Sequence, residues 1–460
     1  MAAREITMTQ PAARTINIGE VLENSRIGPL HIRVFALCMI SLIMDGFDVQ
    51  VMGYVGPAIV ADWKIDRSQL GPVFAAANFG VLLGALLLSM LADKIGRRPV
   101  LVGATLAFSA LTIATAYAQT LEQLLWLRFI GGIPMGCIIP NATALVGEFS
   151  PKGRRVTLMM CITVGFTGGA MLAGAVALWL IPMFGWRSMF IFGGAIPLVV
   201  GVLMAWSLPE SLQFLAVQKT RLDQLARWLR QLDPRIAVDS ATRFIANEES
   251  RGGVPIVHLF HEGRGPTTIL LWIVNFTNIL ILYSLSNWLP TIVTGMGYNL
   301  QTANLIATVM QAGGLIGTFG LAWVIARKGF LPTLALTFAL ATISIALIGQ
   351  PGLTLTVLGV IVFVAGWCVV GGQPAINALS ATFYPTYLRS TGVGAGLGVG
   401  RTGAIIGPYL GGVLLAQQWT PQQLFWVAAV PALVSTAVIL TLRVVMRTPA
   451  PGPAAAPVAH

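Results

Sequence analysis

Residues 38–59 read CMISLIMDGFDVQVMGYVGPAI. The stretch is apolar and long enough to cross a bilayer, since about 20 apolar residues make a spanning helix. Yet Asp45 and Asp48 sit near its middle. A carboxylate at the centre of such a helix costs about 2.5–3.5 kcal/mol, so the pair excludes a face turned to lipid. The i, i+3 spacing puts both on one side of the helix. That side must look into a polar or water-filled interior, as in a carrier whose path runs past it. The alternative is that the two carboxylates bind helix ends or a neighbouring arginine and only fix packing.

The rest of the chain fits a bundle of such helices. Of 460 residues, 56% are hydrophobic and only 10% charged, against about 25% charged in soluble domains. Mean hydropathy is +0.79. The net charge of +11 would suggest nucleic-acid binding in a soluble protein. Here its placement explains it, and no nucleic-acid partner is expected. Lys and Arg fall in the amino-terminal tail, in the even-numbered loops and after the last span, while the odd loops hold only Lys64, Arg67 and Arg187. The positive-inside rule then puts both termini in the cytoplasm, with an even number of spans. No cleavable signal precedes the first span. Four cysteines, all within apolar runs, read as small core residues rather than disulfides or metal ligands.

Twelve spans are expected, at about 33–60, 69–91, 98–118, 121–147, 156–181, 186–207, 267–294, 301–325, 331–349, 353–381, 391–416 and 421–446. The fold class is therefore all-α, in two six-helix bundles. Residues 1–30 form a cytoplasmic tail with an amphipathic piece near Ile18 to Leu22. The bundles occupy 31–208 and 267–446. The central loop, 209–266, holds a surface helix near Arg221 to Gln231, and 447–460 is a Pro/Ala-rich disordered tail. The halves repeat one another: Pro140, Ala144, Leu145, Phe149, Pro151, Arg155 and Thr157 recur as Pro374, Ala378, Leu379, Phe383, Pro385, Arg389 and Thr391 without a gap. Tandem bundles of this kind support alternating access.

Residues 89–98, SMLADKIGRR, resemble the second-loop motif of the major facilitator superfamily, with Ser89 in place of a glycine. Gly96 permits a tight turn, Asp93 can accept hydrogen bonds at a helix end, and Arg97 and Arg98 suit an anionic membrane face. With Arg155 and Arg389 they are expected to gate the conformational change. Residues 128–136, RFIGGIPMG, resemble the superfamily's fourth-helix motif. Arg128 lies two turns into the span. It serves proton coupling or pairs with a backbone carbonyl, and the sequence leaves both open. Glu148 either takes part in coupling or forms a cytoplasmic ion pair with the neighbouring Arg154 and Arg155.

In the eleventh span, 394–408 read GAGLGVGRTGAIIGP. Arg401 lies at the depth of Asp45 and Asp48, and its planar fork matches a carboxylate in bidentate fashion. It binds an anionic substrate or pairs permanently with one of those aspartates. The matching dinucleotide fingerprint is discarded, because no strand precedes it. Polar residues that would line a central cavity are Asn141, Tyr283, Asn287, Gln373 and Asn377, with Gln311 on the eighth span. Residues of this kind more often form hydrogen bonds between helices than contact a ligand.

DGFDVQVMGYVGP at 45–57, PNATALVGEFSPKGRR at 140–155 and GVGRTGAIIGP at 398–408 are similar to the aromatic acid/proton symporters of this superfamily, and the likeness runs through the whole chain. The resemblance implies uptake of a benzoate-like acid with a proton across a bacterial inner membrane, by a carrier and not an enzyme. It implies no cofactor, the proton gradient being the driving force, and a monomer is expected. Asp45 or Asp48 would carry the proton, with Asp48 favoured. Alternatives are a symporter of another organic anion, a drug/proton antiporter, and a membrane sensor without transport. The fifth span lacks the antiporter proline, and the longest loop is too short for an output domain.

Overall fold

The computed structural model describes residues 15–218, 222–232, 243–245, 256–385 and 387–445. A short tail helix, α1 (Ile18–Glu23), precedes six long helices: α2 (Pro29–Trp63), α3 (Leu70–Ile95), α4 (Arg97–Thr115), α5 (Leu121–Phe149), α6 (Arg155–Phe184) and α7 (Arg187–Ser207). The central loop contributes α8 (Leu212–Gln218) and α9 (Leu222–Leu232). The second half holds α10 (Gly265–Gly295), α11 (Leu300–Lys328), α12 (Phe330–Ile348), α13 (Leu355–Val369), α14 (Gly372–Phe383), α15 (Arg389–Ala416) and α16 (Pro421–Val445). Among the described residues, 12 helical stretches are long and apolar enough to span a membrane.

Two features depart from the expected layout. The tenth span is not one helix: it is interrupted at Val370 and Gly371, giving α13 and α14. The tail and the central loop also form a parallel pair of three-residue strands, β1 (Thr15–Asn17) and β2 (Arg243–Ile245). The amphipathic pieces of both segments are helical where described. Ile18, Leu22, Leu225 and Leu229 turn inward and belong to the same core cluster as Leu30 and Phe149 of the first half. Arg221, the remainder of the loop and residues 447–460 lie outside the described residues.

Within each half the helices approach through glycine. A Cβ at Gly80 would fall 2.1 Å from Phe129 O, at Gly84 1.7 Å from Ile133 O, and at Gly136 2.2 Å from Val81 O. α3 and α5 are thus in backbone contact, the usual route to tight association where lipid removes any hydrophobic drive. The fourth-span glycine motif serves this contact. In the second half, Gly403 and Gly407 bring α15 onto the backbone of α10 at Phe276 and Leu280.

An even number of spans puts α1 and the end of α16 on one side, the termini face. The halves join toward the opposite, far face. Gly71 of α3 abuts Gly412 of α15, with a Cβ on the former 3.0 Å from the latter's Cα. Phe74 meets Trp288 edge to face at 5.1 Å, and Gln50 Nε2 donates across the interface to Ser286 O at 2.8 Å. One apolar core runs through both halves here, joining Phe47, Tyr54 and Phe74 to Leu285, Trp288 and Ile306. Toward the termini face the core divides into one cluster per half. A path from mid-depth is therefore closed on the far side.

Candidate functional site

α2 carries Asp48 into the interior of the first half, where α4 and α5 meet it. Arg128 Nη2 lies 2.7 Å from Asp48 Oδ2 and Nη1 lies 3.1 Å from Oδ1. Nη2 also donates to Asp48 O at 3.3 Å, and Thr112 Oγ1 donates to Oδ1 at 3.2 Å. Neither ion is more than 5% exposed. The carbonyl contact expected of Arg128 is present, together with a carboxylate contact to the same residue. A bidentate pair with a further hydroxyl offsets much of the cost of burying two charges.

Asp45, one turn nearer the termini face, is 2% exposed. Its Oδ1 has no hydrogen-bond partner. The charges that act on it are Arg401 and Asp48. The two aspartates therefore differ. Asp48 is engaged by a cation of its own, while Asp45 keeps a free, buried oxygen. The sequence preference for Asp48 as the mobile group does not fit this arrangement, because freeing it would leave Arg128 buried without a partner.

Arg401 projects from α15, half-buried, with Nη1 3.5 Å from Tyr283 OH on α10. Among the described residues no ion pair joins it to Asp45 or Asp48. The permanent pair held open by the sequence is thus not formed. A Cβ at Gly398 or Gly394, about one and two turns toward the termini face, would meet nothing within 4 Å. The approach to Arg401 from that side is unobstructed along α15.

The polar residues read as cavity-lining separate into groups. Asn287, one turn beyond Tyr283, faces Arg128 and Asn78 across a cavity of ≈ 20 Å³, space for about one water. Gln373 Oε1 accepts from Asn278 Nδ2 at 2.8 Å, and Gln373 Nε2 donates to Asn275 Oδ1 and Asn377 Oδ1 at 3.1 and 3.2 Å. This amide cluster ties α10 to α14 beside the break in the tenth span. Gln311 Nε2 donates to Ser286 Oγ at 3.3 Å. Asn141 gives its amide to Cys137 O at 2.8 Å and lies toward the termini face. Gln50, Asn78, Thr112 and Asn278 were missed in the sequence. Their signal was present, since each is a polar residue inside a span.

At the termini face Glu148 pairs with Arg97, Nη1 to Oε1 3.0 Å, whereas Arg154 and Arg155, its expected partners, are exposed. Glu210, another residue the sequence reading passed over, caps α4. Its Oε1 accepts from Arg97 N and Arg98 N at 3.0 and 3.1 Å. An anion there complements the helix dipole. The carboxylate fills the space a Cβ on Gly96 would need, and Gly96 itself turns with φ 105°. Arg389 is exposed at the start of α15. The side chain of Asp93 lies outside the described residues. Among those described, no three His, Cys, Asp or Glu side chains gather as metal ligands.

A sequence profile of the Major Facilitator Superfamily matches residues 38–401 and 326–460. The 4-hydroxybenzoate transporter PcaK of Pseudomonas putida is 35% identical over 425 residues, 92% of this chain and 95% of its own length. The chain belongs to the major facilitator superfamily, in its aromatic-acid branch. The gallate transporter of Pseudomonas putida is also 35% identical, covering 94% of this chain and 96% of that one. The benzoate transport protein of Acinetobacter baylyi is 30% identical, covering 94% and 93%. The solved xylose transporter XylE of E. coli shares the fold, with a TM-score of 0.70 at 16% identity over 90% of this chain and 98% of that one. This superfamily member is thus an integral membrane transporter rather than an enzyme.

Proposed function

We propose that this chain imports benzoate-like aromatic carboxylates with protons across the bacterial inner membrane, with both termini in the cytoplasm. The observation that carries the reading is the division of charge at mid-depth. Asp48 has Arg128 as its own cation, and Arg401, beside the Tyr283 hydroxyl, has no carboxylate partner among the described residues. A half-buried guanidinium on a small-residue helix suits a monoanion, which it can hold through two parallel bonds. Tyr283 adds a hydroxyl beside it. The names of the relatives, carriers of 4-hydroxybenzoate, gallate and benzoate, support the class of acid.

Coupling follows from Asp45. Protonated, it leaves Arg401 to the substrate. Once its proton departs to the cytoplasm, the carboxylate competes for Arg401 and helps expel the acid. No cofactor enters this scheme, and the proton gradient is the driving force. A single chain contains every group it needs. Proteoliposomes with an alkaline lumen test the scheme. They should accumulate [14C]4-hydroxybenzoate or benzoate, and a protonophore should abolish the accumulation. Uptake that merely equilibrates under an imposed gradient would rule out proton coupling.

A further inference from the structure

The glycine-mediated contact of α3 with α5 ends at Gly84 and Gly136. Beyond it, Pro140 lacks the N–H that would bond back to Gly136, and a cleft of ≈ 370 Å³ opens between the helices toward the termini face. That volume is at the lower end of small-molecule sites, about 300–1,000 Å³. Its walls include Leu86, Met90 and Pro140, and its polar groups are Ser89, Asn141 and Arg97. Ser89 Oγ is buried and has no hydrogen-bond partner. Arg97 is 27% exposed and gives one nitrogen to Glu148, which leaves further N–H donors in its fork. The cleft thus has an apolar body, a guanidinium and an orphaned hydroxyl. Asn141, whose amide bonds Cys137 O one turn back along α5, puts the cleft on the termini-face side of the mid-depth charges.

We infer that this cleft is a second, weaker binding site for the carried aromatic carboxylate, occupied as the acid leaves Arg401 for the termini face. The inference rests on the transport reading above. Arg97 takes the carboxylate, Leu86, Met90 and Pro140 flank the ring, and Ser89 or Asn141 meets a ring hydroxyl. An acid released into this site is held away from Asp45 and Arg401, which lets the empty mid-depth site reset. Glu148 shares Arg97 and keeps the second site weak, so that it does not trap its occupant.

The test is equilibrium binding of [14C]4-hydroxybenzoate to the purified full chain in phosphatidylcholine nanodiscs. Two classes of site are expected in the wild type, the second at least tenfold weaker. Ser89→Phe and Arg97→Gln should each lose the weak class and keep the tight one. Arg401→Ala should lose the tight class and keep the weak one. Leu86→Trp, on an exposed wall of the cleft, stands in for Ser89→Phe if that variant does not fold. A tight class alone in the wild type, or a weak class untouched by the cleft variants, overturns the second site and leaves the transport reading standing. Absence of both classes overturns both. An anionic phospholipid retained by the wild type but not by Arg97→Gln in native mass spectrometry, without a weak acid class, assigns the cleft to a lipid and overturns the inference.

Discussion

The Asp48 carboxylate and the Arg128 guanidinium face each other through two contacts, of 2.7 and 3.1 Å, at a place where neither side chain reaches solvent. The pair joins α2 to α5 inside the first half, and Thr112 of α4 completes it. Removing one member leaves the other as a buried, uncompensated charge, which costs about 3–5 kcal/mol. Asp48→Asn and Arg128→Gln should each lower the melting temperature of the purified protein sharply. The double variant should regain most of that loss, since both charges go together. Equal melting temperatures for all four proteins would show that the pair does not hold the half together.

Asp45 should behave differently, because no cation is stranded when it is neutralised. Asp45→Asn is expected to fold as the wild type does and to exchange labelled for unlabelled acid across the membrane. It should no longer concentrate the acid when the lumen is made alkaline. Gradient-driven accumulation at the wild-type level in this variant would move coupling away from Asp45.

Arg401 is expected to require its shape as well as its charge. An ammonium is a point charge and cannot reproduce the planar fork. Arg401→Lys should lose most uptake, at least tenfold, and Arg401→Ala should lose high-affinity binding of 4-hydroxybenzoate. Folding should be preserved in both, since Arg401 is half-buried and holds no buried anion. Retention of wild-type affinity in a folded Ala variant would remove Arg401 from the substrate site.

Closure of the far face depends on the contact of Gly71 with Gly412. A leucine at Gly71 has nowhere to go while α3 and α15 touch. Gly71→Leu should therefore favour the state open at the far face. Spin labels at the exposed Asp66 and Gln418 should move apart relative to the wild type, and Gln50→Ala, which removes the hydrogen bond to Ser286, should shift them in the same direction by less. An unchanged distance distribution in Gly71→Leu would show that closure does not depend on this contact.

The sequence by itself determined the architecture. Twelve apolar stretches, a tandem repeat and glycines at helical spacing are local properties, and the bilayer leaves helices as the solution for every one of them. It also determined which residues are anomalous, because a charge inside a span is costly wherever it ends up. Asp45, Asp48, Arg128 and Arg401 stood out for that reason alone. Tertiary structure decided how those charges are shared. Asp48 and Arg128 are 80 positions apart, and nothing in either span says which carboxylate a given arginine will choose. The choice depends on how α2 and α5 rotate against each other, which is set by the packing of many small residues at once. The same dependence hid the cap that Glu210 gives α4 from across the half, the bond of Gln50 to Ser286 between halves, and the break in the tenth span. A charge inside a membrane announces itself along the chain, but its partner is a matter of distance in space.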